Sequence, residues 1–97
     1  MPWPEISDPN AYAIEVRGQS LMPAYADGHV LVVSPGSPVE PGDRIVLRLQ
    51  DGSVLVGSLT RRAQDEVEVA CFGSNPGPIS VRTSEVSWMS RILWSFY

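Results

Sequence analysis

Nine prolines and eight glycines punctuate this chain of 97 residues, leaving between them only short runs rich in Val, Ile and Leu. That is the pattern of an all-β domain, in which turns recur every few residues. In residues 12–17, Tyr12, Ile14 and Val16 share one face while Ala13, Glu15 and Arg17 take the other. Residues 29–33 follow an Asp27-Gly28 turn, and Pro41-Gly42-Asp43 launches residues 44–49. There Ile45, Leu47 and Leu49 oppose Arg44, Val46 and Arg48. Asp51-Gly52, set between two strand-like runs, is the strongest hairpin signal and pairs residues 44–50 with 53–60. Residues 66–72, 79–82 and 85–97 read as further strands, and "GSNPGP" as a loop. Only residues 20–25 read as a helical turn. The expected organisation is an N-terminal extension, 1–10, followed by one domain, 11–97.

The charge pattern excludes several function classes. Net charge is −4, and all seven basic residues are arginines, scattered from Arg17 to Arg91, with no lysine anywhere. No basic stripe is available to neutralise phosphates, so neither nucleic acid nor an anionic membrane is an expected direct partner. A single cysteine, Cys71, allows no intrachain disulfide. The first ten residues carry Glu5 and Asp8 and no apolar signal core. No run approaches the roughly 20 apolar residues that span a bilayer. The expected location is cytoplasmic, and no cofactor or metal site is read.

One stretch asks for chemistry. In "VRGQSLMPAY", residues 16–25, Ser20 lies between Gly18 and Pro23 at the end of an alternating run. A serine hydroxyl is a poor nucleophile until a neighbouring base takes its proton. The bland alternative is a helix cap on residues 21–25. His29 is the only histidine and sits just after a turn, where a surface role accounts for it. Asp27 and Asp43 are read as turn residues beside their glycines.

The ordered set of features resembles the C-terminal domain of LexA-like and phage-type repressors. It comprises G-x-S-x-x-P (Gly18, Ser20, Pro23), Asp27-Gly28, "VEPGD" at 39–43, the Asp51-Gly52 hairpin and Ser74-Asn75-Pro76. The likeness covers residues 11–94. Gln19, Leu21 and His29 stand where that family usually has Asp, Met and Asp. The resemblance implies a mostly β, signal-peptidase-like fold of short, strongly bent antiparallel strands with at most one helical turn. It also implies a self-cleaving serine–lysine peptidase with Ser20 as nucleophile. The family's lysine maps onto Gly57, which offers no side chain. A lysine serves as base only as a neutral amine within reach of the hydroxyl, and arginine stays protonated in its place.

The function so implied is a dimerising, regulatory domain of a transcriptional regulator, a pseudo-peptidase with Ser20 vestigial. DNA would be met only through a helix-turn-helix domain outside this chain. Two readings from other classes stay open: an active serine peptidase with an unrecognised base, and a stand-alone module binding peptides at a strand edge. The last stretch, "SRILWSFY", alternates so that Ile92, Trp94 and Phe96 face one way, Leu93 and Tyr97 the other. Such a strand either lies centrally or meets a partner. The resemblance points to a homodimer through Ile92, Trp94 and Phe96.

Overall fold

The computed structural model describes residues 9–73 and 76–96. Most of the N-terminal extension, Ser74-Asn75 and Tyr97 lie outside them. The described chain forms β1 (Tyr12–Glu15), β2 (Val30–Ser34), β3 (Arg44–Leu49), β4 (Val54–Arg62), β5 (Glu66–Cys71), β6 (Gly77–Arg82) and β7 (Val86–Phe96). All neighbours pair antiparallel in one sheet of order β1-β2-β7-β3-β4-β5-β6. The mostly β expectation therefore holds. The Asp51-Gly52 hairpin joins β3 to β4, with the Asp51 carboxylate accepting from the Ser53 N–H at 2.8 Å. That backbone bond holds the Asp51 carboxyl below its usual range.

Residues 20–25 make the single turn expected there, closed by Tyr25 N–H to the Leu21 carbonyl at 3.1 Å. Two differences concern strand limits. The helical element among the described residues is a 3₁₀ turn, Thr83–Glu85, at the start of the run read as the last strand. His29 precedes β2, its ring and backbone both engaged in a turn.

Apolar residues cover both faces of the sheet. On one face Ile45, Leu47, Leu59, Val67, Val69, Cys71 and Val81 pack together, with Val39 from the loop after β2. On the other, Val16, Tyr25, Leu31, Val33, Val46 and Val56 form a second cluster. β3 feeds both, so Val46 is buried rather than facing solvent with Arg44 and Arg48. A central strand covered on both faces replaces alternation with an unbroken apolar run, "IVL" here.

Bulges bend the sheet. The registers skip Thr60 on β4 and both Ser87 and Leu93 on β7. A bulge sharpens the local twist and shifts which side chains share a face. At Leu93 this overturns the simple alternation of the C-terminal strand. Ile92 pairs with Val33 and packs on the second cluster, while Trp94 pairs with Val32 and Phe96 with Val30. Ile92 therefore faces away from Trp94 and Phe96. β7 itself is central, hydrogen-bonded to β2 and β3, and Trp94 stands out from it, 47% exposed.

Candidate active site

Ser20 sits on the loop that interrupts the β1–β2 pair. Beyond Glu15 the strands stay tied, Val16 N–H donating to the His29 carbonyl and Gly28 N–H to the Val16 carbonyl, each at 2.8 Å. The intervening residues are thrown out as a loop. Gly18 enters it at φ +83°, a conformation that favours glycine. Its N–H donates to Asp27 Oδ1 at 2.6 Å. A charged acceptor makes this a strong tie. Asp27 is thus a turn residue with a second task, holding the loop two residues before Ser20.

Tyr25 fixes the far end. It is 2% exposed, its ring edge-on to those of His29 (5.7 Å) and Phe72 (6.0 Å). Its hydroxyl accepts from Arg44 Nη1 at 3.2 Å, and that guanidinium lies 5.2 Å from the Phe72 ring centre. An arginine over aromatic faces contributes cation–π attraction as well as the hydrogen bond.

Between these anchors Ser20 is exposed at the mouth of a groove of about 220 Å³. Leu21 adjoins it, β4 residues 54–56 form one wall, and Cys71, Phe72 and Ile79 complete the lining. A second groove of about 300 Å³ continues from Leu21, Val54 and Val56 toward Ile14, Val16, Leu31 and Trp88. Among the described residues the Ser20 hydroxyl makes no hydrogen bond, neither to a base nor to the backbone as a helix cap. The Cys71 thiol is pushed up from its ordinary value by burial, which disfavours the thiolate. It offers neither a ready base nor a reactive nucleophile.

Gly57 lies in β4, opposite Cys71 in β5 and Ile45 in β3. It adjoins the groove through Val56 and Cys71 but is not part of its lining. A Cβ at this position would run into the Ala70 carbonyl oxygen and come within 2.9 Å of Cys71 Cα. The glycine has its own structural reason: β5 backbone occupies the space of a side chain.

His29 is half-buried and engaged in its own turn. Its Nδ1 accepts from Ala26 N–H at 3.0 Å, and its ring packs on Tyr25. Asp43 accepts from Glu40 N–H at 2.9 Å and pairs with Arg91 at 3.6 Å, so it too serves a turn. Groups of three or more potential metal ligands are absent among the described residues.

Two contributors were missed from sequence. Gly73, within the stretch read as a plain loop, lies directly under Ser20, and the Arg44–Tyr25–Phe72 stack joins three separate segments. The first carried a signal, a glycine just after an apolar strand. The second had none.

A bent antiparallel sheet with an exposed serine on a glycine-entered loop, beside an apolar groove, has the layout of a serine-peptidase-type β domain. The chain matches the family model described as Peptidase S24-like over residues 1–93, and it belongs to that family. This is the family of the LexA and phage repressor C-terminal domains. No curated protein matches the chain. Among the described residues no helix is long and apolar enough to cross a membrane.

Proposed function

We propose that this domain dimerises and regulates a LexA- or phage-repressor-like transcriptional regulator, in the cytoplasm, without cutting itself. The observation that carries the loss of cleavage is the lining of the Ser20 groove: aliphatic and aromatic side chains and one buried thiol, with no titratable amine. A serine without a base keeps its proton at neutral pH and attacks slowly. Dimerisation is supported by the exposure of Trp94, since aromatics are enriched at the centres of interfaces. Joining two weak DNA-binding heads raises their effective affinity for paired half-sites without any DNA contact by this domain. The grooves would then serve to bind an apolar segment of a partner rather than to cleave it.

A serine-directed fluorophosphonate, applied across neutral to alkaline pH, tests the chemistry. The wild type should label no faster than Ser20→Ala. Labelling that requires Ser20 and rises with pH would establish an active peptidase with another base. Sedimentation at micromolar concentration tests assembly, with a dimer expected and a monomer contradicting the dimeriser reading.

A further inference from the structure

The Ser20 loop hangs from one tight turn, residues 26–29. Asp27 Oδ1 holds Gly18 at 2.6 Å at one end of the loop, and the buried Tyr25 leads directly into Ala26 at the other. The turn is closed by two bonds between the same two residues. His29 N–H donates to the Ala26 carbonyl, and Ala26 N–H donates to His29 Nδ1, both at 3.0 Å. The second bond exists only while Nδ1 carries a lone pair. Neutral imidazole has one acceptor nitrogen; in the imidazolium both nitrogens are donors. A proton on Nδ1 would set two donors against each other across that distance.

We propose that His29 is a proton-operated latch on the Ser20 loop: the neutral ring closes the turn at Ala26, and protonation releases it. The release reaches Ser20 because the same turn supplies the Asp27 carboxylate that ties Gly18. Among the described residues, the titratable and charged groups tied to the ring or its turn include Tyr25, edge-on to the ring, Arg44 of β3, bonded to the Tyr25 hydroxyl, and Asp27 in the turn itself. β1 and the turn are also joined through Val16, whose amide bonds to the His29 carbonyl. His29 is the only histidine of the chain, so a histidine titration is assigned without ambiguity. The latch is independent of whether Ser20 is reactive, because it concerns the loop and not the hydroxyl.

Nitrogen-15 NMR of the whole chain, titrated from about pH 8 to about pH 5 where histidine ordinarily changes charge, decides it. At the alkaline end the ring should be the Nε2–H tautomer. On acidification the exchange protection of the Ala26 and Gly18 amides should fall about fivefold or more, the equivalent of one lost hydrogen bond, in step with the ring resonances. In His29→Asn the side-chain oxygen stands in for Nδ1, and the step at Ala26 should vanish. An Nδ1–H tautomer at alkaline pH overturns the latch. So does Ala26 protection that stays constant while the ring titrates. The wild-type titration decides the matter even where the variant does not fold.

Discussion

The carbonyl oxygen of Ser20 occupies the space in which Gly73 would carry a side chain. A Cβ on Gly73 would meet that oxygen and come within 3.2 Å of Leu21 Cα, and Gly73 also holds φ at +109°. Both the contact and the dihedral exclude other residues. Gly73→Ala should cost about 1–3 kcal/mol from backbone strain, before any displacement of the loop is counted. Urea unfolding measures the loss. The same variant should weaken protection of the Gly18 amide, because the Ser20 loop is pushed off its seat.

Gly57 makes the corresponding argument inside the sheet. Its Cβ direction runs into the β5 backbone at Ala70 and Cys71. Backbone cannot yield as the tip of a flexible side chain does, so Gly57→Ala alone should destabilise by at least the roughly 1–3 kcal/mol typical of overpacking. Gly57→Lys would supply an amine at the position the resemblance suggests for the base, but its side chain must first part β4 from β5. It should be no more stable than the alanine variant, and Ser20 should not gain reactivity toward a fluorophosphonate. A lysine variant as stable as wild type, with an activated Ser20, would mean that the sheet accommodates the amine.

The strands and turns were legible because each rests on local chemistry: period-two alternation, Asp-Gly at a tight turn, and a glycine at positive φ. Ser20 and its loop were legible for the same reason, with Gly18 before and Asp27-Gly28 after. What could not be read depends on pairing between distant segments. The bulge at Leu93 arises from how β7 lies against β2, and it turns Ile92 away from Trp94 although plain strand register puts the two on one face. The close approaches at Gly57 and Gly73 likewise belong to distant partners, Ala70 and Cys71 of β5 for the first and Ser20 and Leu21 of the β1–β2 loop for the second. Glycine announces permissiveness, but not which atom fills the space.

The same bulge separates two roles within one strand. Ile92 packs on the cluster of Val16, Tyr25, Leu31 and Val33, whereas Trp94 is nearly half exposed on the opposite face. Ile92→Ala should lower unfolding stability by about 2 kcal/mol, toward the low end for buried aliphatic truncations because the side chain is only partly covered. Trp94→Ala should leave unfolding of the monomer within about 0.5 kcal/mol of wild type, as for a surface position. In the dimeriser reading it should weaken self-association at least about fivefold, the loss expected of an interface aromatic. Sedimentation equilibrium and urea melts on the two variants separate the effects. Equal loss of stability in both would contradict the split facing.

Cys71 offers a test of how dry the groove floor is. It lines the Ser20 groove, yet its thiol is almost covered, and burial raises it above its ordinary value of 9.0. The thiolate is the reactive form, and each unit of upward shift removes roughly nine-tenths of it at a fixed pH below the titration. A disulfide reagent near neutral pH should therefore react far more slowly with the folded domain than with the domain in urea. The linkage has a definite sign. A proton held more tightly by the folded state favours folding below the unfolded thiol's value, and that contribution is lost as pH rises through the folded one. Stability should decline on the alkaline side of about pH 9, and Cys71→Ala should flatten part of that decline relative to wild type. A thiol that reacts equally fast in both states, with an alkaline limb unchanged by the substitution, would place Cys71 in water and open the groove floor to solvent.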